Sequence, residues 1–261
     1  MSYPFLKGHG TENDFVVLPD PDGTVHGDLS AERVRALCDR RAGIGGDGVL
    51  RAVRSDDGWF MDYRNADGSV SEMCGNGIRV FARYLHDREG EPFPMRIQTR
   101  DGVKTLDSAG DELTADMGAP QVFEDTAVSV GGRSWPARHV SMGNPHAVAF
   151  VDNLAEAGPL LEEPEHDDGV FPEGVNVEFV VRRGEHHVAM RVHERGSGET
   201  RSCGTGACAV AVVAALADDA PRGTAYRVDV PGGTLHVVWT EDDRILMTGP
   251  AVLVAEGVTD L

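Results

Sequence analysis

Two cysteines occupy nearly the same local sequence in the two halves of the chain. Cys74 lies in EMCGNG at 72–77, and Cys203 lies in RSCGTG at 201–206. An apolar stretch with helical spacing follows each run, so we expect each thiol at a helix N-terminus, where the helix dipole lowers the pKa of a cysteine. The glycines let the backbone approach a ligand and leave amide N–H groups that can hold a carboxylate. Each run therefore predicts a reactive thiol beside a carboxylate-binding site.

Two such thiols suit the inversion of an α-carbon, because that reaction needs a base on one face of the carbon and an acid on the other. A thiolate and a thiol can fill both roles and exchange them in the reverse direction. Amide donors at the two helix starts would stabilise the negative charge that develops on the α-carboxylate. We therefore predict that Cys74 and Cys203 are catalytic. Cys38 and Cys208 lie within helical patterns and are predicted to be core residues.

The spacing of these features suggests an internal duplication. Positions 74 and 203 differ by 129, close to half of the 261 residues, and Asn13 and Asn144 differ by 131. A strand-like run that ends in polar residues precedes each catalytic candidate. The simplest architecture is two related α/β domains, each a curved sheet around one long helix, with a pseudo-twofold axis between them and a boundary near Pro120.

Three helices are expected from the pattern of capping and apolar residues. Ser30 can cap a helix that runs to about Arg41 and stops at Gly43. The other two follow the catalytic candidates, and the last is apolar on nearly every side, which predicts a buried central helix. The acidic, proline-containing segment 154–168 is predicted to be a surface loop or short helix with no assigned role. Runs with the composition of strands are 60–64, 176–181, 188–193 and 234–239.

The composition argues against several classes of partner. The formal net charge is −19, from 24 Lys and Arg against 43 Asp and Glu, and such a surface repels nucleic acid and anionic membranes. The first residues lack the pattern of a secretory signal, and the longest apolar stretch, near 207–217, is too short to span a bilayer. We therefore expect a cytoplasmic protein that acts on a small molecule.

Cofactor and metal chemistry find little support in the sequence. Four cysteines in a long cytosolic chain are not expected to form a disulfide framework, and their spacing does not resemble a zinc site. Lys7 and Lys104 are the only lysines, which weakens, without excluding, a pyridoxal phosphate enzyme with its Schiff-base lysine. No glycine-rich nucleotide-binding motif stands between a predicted strand and a helix.

Further runs, taken with the two cysteine runs, closely resemble the diaminopimelate epimerases over nearly the whole chain. Several motifs in the same order are far more specific than any one. The resemblance implies an isomerase of lysine and peptidoglycan-precursor biosynthesis that interconverts LL- and meso-diaminopimelate with no cofactor and no metal. The matching runs are 7–15 (KGHGTENDF), 43–47 (GIGGD), 65–69 (NADGS), 74–79 (CGNGIR), 142–146 (MGNPH), 174–177 (GVNV) and 194–207 (ERGSGETRSCGTGA).

The resemblance also implies roles for individual residues at the reacting centre. Cys74 is expected to act on the LL isomer and Cys203 on the meso isomer. Glu194 and His146 are expected beside the reacting centre as auxiliary polar or acid–base groups, and Glu194 is also a substrate-binding candidate. The amides expected to hold the reacting α-carboxylate are those of Gly75, Asn76, Gly204 and Thr205.

A second set of residues is implied for the distal, non-reacting end of the substrate. Arg195 is expected to clamp the distal carboxylate, a task that suits its planar guanidinium. One position departs from the family pattern: many members carry a substrate-contacting glutamine where this chain has Gly48, which is not included as a binding residue. The asparagines expected to position the substrate are Asn13, Asn65, Asn144 and Asn176.

The fold implied by the family is of the α/β (α+β) class. It consists of two pseudo-symmetric domains, each a curved, mostly antiparallel β-sheet or barrel wrapped around a central α-helix. Residues 1–118 would form the N-terminal half, completed by a C-terminal strand at about 249–261, and residues 119–248 the C-terminal half. Family members are often dimers, so we expect a homodimer.

Two alternatives remain open at this stage. A proline racemase-like enzyme also uses two cysteines but would not need Arg195 and the asparagines to grip a second amino-acid head group, while phenazine-pathway isomerases share the architecture and lack the cysteine pair. A cysteine redox or metal-binding module is the alternative from another class, and it predicts stoichiometric metal or a functional disulfide. For the two-cysteine enzyme, an oxidative cross-link between Cys74 and Cys203 would inactivate it, reversibly with dithiothreitol.

Overall fold

The structure is a computed structural model that describes residues 2–261. Within this range the chain forms three α-helices and seventeen β-strands, with one π-helical turn, Leu85–Glu89, and one 3₁₀ turn, Leu154–Ala157. The helices are α1 (Ala31–Cys38), α2 (Gly75–Tyr84) and α3 (Gly204–Ala217). The strands are β1 (Tyr3–Gly10), β2 (Asn13–Pro19), β3 (Gly48–Ser55), β4 (Gly58–Asn65), β5 (Met95–Thr99), β6 (Gly102–Ala109), β7 (Glu112–Asp116), β8 (Gln121–Val130), β9 (Arg133–Ser141), β10 (Pro145–Phe150), β11 (Asn176–Gly184), β12 (His187–Glu194), β13 (Gly198–Thr200), β14 (Ala225–Val230), β15 (Gly233–Trp239), β16 (Ile245–Gly249) and β17 (Val252–Thr259).

The chain divides into two compact units. The first unit runs up to Ala115 and takes in Gly249–Leu261, and the second unit is Asp116–Thr248. The first unit is therefore discontinuous in sequence, because its last strand, β17, is encoded after the whole of the second unit.

Strand pairing in the first unit follows a fixed series of directions. From β17 to β1 and from β1 to β2 the pairs are antiparallel, β2 and β3 are parallel, and β3 and β4 are antiparallel. Strands β4 and β5 are parallel, and the pairs β5–β6 and β6–β7 are antiparallel. Antiparallel pairs thus predominate. The two parallel pairs, β2–β3 and β4–β5, join strands that are far apart in sequence.

The second unit repeats the same series. Strand β8 pairs antiparallel with β9, β9 with β10, and β10 runs parallel to β11. The pair β11–β12 is antiparallel, β12–β14 is parallel, and β14–β15 and β15–β16 are antiparallel, with β13 added beside β12. Strand β8 takes the place that β17 has in the first unit. A shared order of pairing is what an internal duplication predicts.

Each unit packs its strands around one helix. Helix α2 contacts β1 to β4 and β17, and helix α3 contacts β9 to β12, β14 and β15. Eleven of the fourteen residues of α3 are buried, which confirms the predicted buried central helix. Among residues 2–261, no helix is both long enough and apolar enough to cross a membrane. The side chains of Cys38 and Cys208 are buried in the core, as predicted.

The other predicted elements agree with the structure except at one helix end. Helix α1 starts at its Ser30 cap, whose Oγ accepts a hydrogen bond from Arg33 N at 3.2 Å. The prediction that it runs to Arg41 is wrong, because the Asp39 carboxylate accepts the N–H groups of Arg41 and Ala42 at 2.7 Å and ends the helix at Cys38. The four predicted strand runs all lie within observed strands: β4, β11, β12 and β15.

Segment 154–168 does more than the sequence predicted. It forms a 3₁₀ turn, as a short helix was expected, but Ala157 and Leu160 are buried and join the apolar cluster of the second unit. The backbone of Glu165 also bridges to Ser129 in strand β8. The segment is therefore part of the packed second unit, and the surface-loop prediction was incomplete.

Candidate active site

Cys74 is the N-cap of helix α2. Its backbone is extended, with φ −139° and ψ 124°, and its Sγ accepts a hydrogen bond from Gly77 N at 3.4 Å. The side chain of a cap normally carries oxygen, and here the thiol takes that place. The amides of Gly75 and Asn76 belong to the first turn of the helix. The predicted thiol at a helix start is confirmed for Cys74.

A directed chain of hydrogen bonds holds Asn13 against this thiol. Arg79 NH2 donates to Asn76 Oδ1 at 2.9 Å, and Asn76 Nδ2 donates to Asn13 Oδ1 at 3.2 Å. At the other end of the amide, Asn13 Nδ2 donates to Asp47 Oδ2 at 2.8 Å. Asn13 Oδ1 therefore faces Cys74 Sγ, which lies 3.7 Å away and donates to it.

Asp47 is itself anchored by an ion-pair cluster. Arg40 contacts Asp47 and Asp14 with distances of 2.7 Å, and Lys7 pairs with Asp14 at 2.6 Å and donates to the carbonyl of Gly45. Burial opposes the ionisation of Asp14, yet hydrogen bonds from Arg40 and Lys7 outweigh it and hold its pKa below the usual range. The cluster fixes the loop after α1 beside strand β2.

The remaining predicted residue of the first unit, Asn65, lies at the end of strand β4 and donates to Ser69 Oγ at 3.0 Å. Its cross-strand partner is Gly48. A Cβ added to Gly48 would lie 2.6 Å from Arg64 O and 2.8 Å from a ring carbon of Tyr63. A side chain at position 48 would thus clash with strand β4, and Gly48 stays outside the proposed binding residues.

Cys203 caps helix α3 in the same way. Its Sγ accepts from Gly206 N at 3.4 Å and lies 3.5 Å from Thr205 Oγ1. The predicted thiol at a helix start is confirmed here too, but its predicted acidity is wrong. Burial, and after it the nearby charges of Glu194 and Glu178, raise the pKa of Cys203 well above its usual value, so these effects outweigh the helix N-terminus.

A buried polar chain lies beside Cys203. His146 is fully buried, with Nδ1 2.6 Å from Glu178 Oε1 and Nε2 3.0 Å from Asn144 Oδ1. Sequence analysis predicted the histidine and the asparagine but missed Glu178. The signal was present: Glu178 is the one charged residue in the apolar strand run 176–181, and a buried charge is costly enough to need a reason.

Asn176 and Arg195 also lie together. Asn176 Nδ2 donates to the Pro145 carbonyl at 2.9 Å, and Arg195 N donates to Asn176 Oδ1 at 3.0 Å, so this amide joins strands β10, β11 and β12. The guanidinium of Arg195 reaches Glu173 O at 3.4 Å. Glu194 accepts a hydrogen bond from Thr200 Oγ1. These contacts position Arg195. Both polar groups of the Asn176 side chain are hydrogen-bonded to backbone groups.

The described residues offer neither a metal cluster nor an unpaired lysine. Across residues 2–261, no group of three or more His, Cys, Asp or Glu side chains is placed to hold a metal ion. Lys7 is ion-paired with Asp14, and Lys104 with Asp101 at 2.6 Å. Both lysines thus carry carboxylate partners.

Comparison with known proteins identifies a family. Residues 5–123 and 138–254 match the family model described as diaminopimelate epimerase. The diaminopimelate epimerase of Streptomyces coelicolor is 58% identical, covering 98% of this chain and 95% of its own length. That of Corynebacterium aurimucosum is 48% identical, covering 98% and 99%.

Solved structures with the same fold are more distant in sequence. A Bacillus anthracis phenazine biosynthesis protein of the PhzF family has a TM-score of 0.76 at 18% identity, with all of both chains covered. A hydroxyproline epimerase from Agrobacterium vitis, with bound trans-4-hydroxy-L-proline, has a TM-score of 0.70 at 16% identity, covering 99% of this chain and 92% of the other. At these identities the match establishes the mixed α/β fold and nothing about the substrate.

Proposed function

This chain belongs to the diaminopimelate epimerase family and is an isomerase, and from that premise we propose that it interconverts LL- and meso-diaminopimelate for lysine and peptidoglycan-precursor synthesis. The observation that carries the proposal is the repeated helix start. In each unit a cysteine followed by Gly-x-Gly caps the helix at the centre of the strands. The two units are the two domains of the duplicated fold, and each supplies one acid–base group.

The proposed reaction transfers one proton at each face of the α-carbon. With the LL isomer, the Cys74 thiolate takes the α-proton, and the electron pair of the broken C–H bond spreads onto the α-carboxylate. The Cys203 thiol then gives its proton to the opposite face, which yields the meso isomer and leaves Cys203 as the thiolate. The raised pKa of Cys203 supports its role as the acid in this direction.

Backbone amides and polar side chains bind the substrate in this proposal. The first-turn amides of α2 and α3 hold the α-carboxylate, because helix N-termini favour negative charge. These amide N–H groups belong to Gly75, Asn76, Gly204 and Thr205. Arg195 pairs with the distal carboxylate. The other substrate-positioning residues are Asn13, Asn65, Asn144, Asn176 and Glu194, and His146 and Glu194 are auxiliary groups beside the reacting centre.

We further propose that the reaction needs neither pyridoxal phosphate nor a metal. The chemical argument is that two thiols and a set of amide donors already supply a base, an acid and stabilisation of charge. The engagement of Lys7 and Lys104 in ion pairs also speaks against a Schiff base. We place the protein in the cytoplasm, where free thiols persist, and propose a homodimer that associates through strand β17.

The decisive experiment incubates reduced, chelator-treated protein with LL-diaminopimelate in D₂O without pyridoxal phosphate. Chiral chromatography follows the meso product, and mass spectrometry follows deuterium at the α-carbon. We expect meso product carrying one solvent deuterium. Turnover of proline instead would move the substrate to the racemase class, and no exchange with any amino acid would reject the two-thiol mechanism.

Alanine at either catalytic cysteine tests the assignment of roles. We expect Cys74→Ala and Cys203→Ala each to reduce epimerisation by at least about 10³-fold, because each removes the acid or base of one face. Matched controls are Cys38→Ala, in the core of the first unit, and Cys208→Ala, on the same helix as Cys203. Both should keep activity near that of the wild type. Near-normal turnover by either catalytic variant removes that cysteine from the mechanism.

A further inference from the structure

Glu178 is a carboxylate with no exposure to solvent. Its side chain is fully buried in strand β11, and so are those of Val177 and Phe179 on the opposite face of the strand. A carboxylate taken out of water costs several kcal/mol unless a partner offsets the loss of hydration. The partner here is His146, equally buried, at 2.6 Å. The other carboxylate oxygen, Oε2, is buried and has no hydrogen-bond partner among residues 2–261. Such an arrangement needs a reason beyond stability.

The carboxylate of Glu178 lies against the first turn of helix α3. A Cβ added to Gly206 would stand 2.6 Å from Glu178 Oε1 and 3.3 Å from Cys203 Sγ. Glu178 Oε1 and Cys203 Sγ are therefore both neighbours of Gly206, whose amide N–H donates to the thiol. Inside a protein, a negative carboxylate this close to the sulfur disfavours a second negative charge on it. The ionisable groups of the second unit that act on Cys203 are Glu178 from β11, Glu194 from β12 and, through Glu178, His146 from β10.

The hydrogen bonds of His146 determine where its protons are. Asn144 Oδ1 accepts at one end, so Nε2 carries a proton. At the other end Nδ1 and Glu178 Oε1 are 2.6 Å apart, a distance that one proton can bridge. On Nδ1 it makes an imidazolium–carboxylate pair, and on Oε1 it makes two neutral groups. The pair has no net charge in either form, but only the first form places a negative charge beside Cys203.

We propose that Glu178 is a positioning residue for Cys203, sharing one proton with His146 so that the thiol stays protonated until the reaction draws on it. When Cys203 gives its proton to the substrate, the shared proton moves from His146 Nδ1 to Glu178 Oε1. The O–H bond forms as the N–H bond breaks, and the carboxylate beside the new thiolate becomes neutral. The hydrogen bond from His146 Nε2 also holds the Asn144 amide by its Oδ1. The inference rests on the proposed function only for the acid role of Cys203.

The test compares Glu178→Gln with wild type by the alkylation of Cys203. Glutamine keeps the shape of the side chain and cannot carry the charge. Iodoacetamide labelling of Cys203 is followed by peptide mass spectrometry from pH 6.5 to 9.5, without substrate. We expect the profile of the variant to move down by about one pH unit, which is about tenfold faster labelling at a given pH. The matched control is Glu185→Gln, an exposed glutamate in the turn of the same hairpin, which should label like wild type. An unmoved profile in the Glu178 variant overturns the proposal.

Two further measurements separate positioning from a structural role and from failure of the proposed function. With LL-diaminopimelate, Glu178→Gln should reduce kcat about tenfold with less than about a twofold change in KM. If the variant does not fold, ¹⁵N-histidine NMR of the wild type at neutral pH decides, because the proposal requires His146 Nε2 to donate a hydrogen bond to Asn144 Oδ1. An Nε2 that carries no proton there rejects the proposal. A wild type that labels as expected but does not epimerise would reject the proposed function and leave the Glu178 inference standing.

Discussion

The orientation of the Asn13 amide is determined from both sides. Arg79, through Asn76, supplies a donor to Asn13 Oδ1, and the Asp47 carboxylate accepts from Asn13 Nδ2. A side-chain amide that is reversed by half a turn would present a donor to Cys74 in place of an acceptor. Arg79 and Asp47, at the two ends of this chain of hydrogen bonds, therefore determine that Asn13 Oδ1 faces the Cys74 thiol.

Asp47→Asn tests this at the residue scale. Asparagine can donate as well as accept, so the Asn13 amide loses its fixed orientation. We expect kcat/KM to fall about tenfold, the equivalent of about 1.4 kcal/mol, while the fold is retained. Steady-state kinetics with both isomers give the measurement, and the exposed Asp56→Asn provides the control. Wild-type kinetics for Asp47→Asn would remove Asp47 from the positioning of Asn13.

Single residues show what the sequence can and cannot predict. The helix starts at Cys74 and Cys203 were predictable, because glycine spacing and apolar periodicity are local signals. The acidity of Cys203 was not, since burial and the charge of Glu178 come from strands that are distant in sequence. Local pattern gives the direction of the helix dipole but not the number of carboxylates that tertiary packing brings beside it.

Helices α2 and α3 begin alike but are packed differently. At Gly77 an added Cβ would meet Leu50 Cδ2 at 3.3 Å, a contact that a small shift relieves. At Gly206 it would meet Glu178 Oε1 at 2.6 Å, and that carboxylate is held by His146. We expect Gly206→Ala to lower the free energy of unfolding by about 2 kcal/mol and Gly77→Ala by less than about 1 kcal/mol. Urea denaturation measures the free energy of unfolding of each variant. Equal decreases would show that the Glu178 side chain moves away from the added methyl group at little cost.

Strands β12, β14 and β15 are joined by one carboxylate whose ionisation should affect stability. Burial opposes the charge on Asp229, but hydrogen bonds from His187, Arg227 and Thr234 lower its pKa to about 2. Because the folded pKa is below the unfolded value, the contribution is present above about pH 4 and is lost as the pH falls toward 2.

Asp229→Asn should therefore be less stable than wild type by about 1 kcal/mol at pH 7, a value reduced for its partial exposure, and the difference should narrow at pH 3. Chemical denaturation at the two pH values measures the gap. The exposed Asp56→Asn should show no such gap. A constant difference across pH would mean that packing, not charge, accounts for the effect of Asp229.

At the scale of elements, the sequence predicted the helices and several strands but not their ends or partners. Helix α1 ends early because the Asp39 side chain captures two backbone N–H groups, an interaction that competes with helix propensity and is not visible in periodicity. The parallel pairs, among them β2–β3 and β10–β11, join strands separated by long connections. Hydrophobic pattern carries no information on such pairings, whereas the duplication, seen in the spacing of Cys74 and Cys203, predicted that they would occur twice.

The proposed homodimer is tested at the scale of the whole molecule. Strand β17 exposes the apolar side chains of Val252, Val254 and Val258 by 43%, 55% and 67%. We expect Val254→Lys with Val258→Lys to reduce the mass measured by light scattering from two chains to one. Lysine at Val103, exposed by 40% on β6, is the control and should leave the mass unchanged. A wild type of one chain, or a dimer that survives the double change, rejects this interface.

Strand β17 also has a consequence for the order in which a nascent chain can fold. It pairs with β1 from Tyr3 to His9, yet the ribosome makes it after the whole of the second unit. Every strand of the second unit is therefore made before β17, and β1 gains this neighbour only when the chain is nearly finished. A fragment that ends at residue 250 would contain all the strands of the second unit and a first unit that lacks β17.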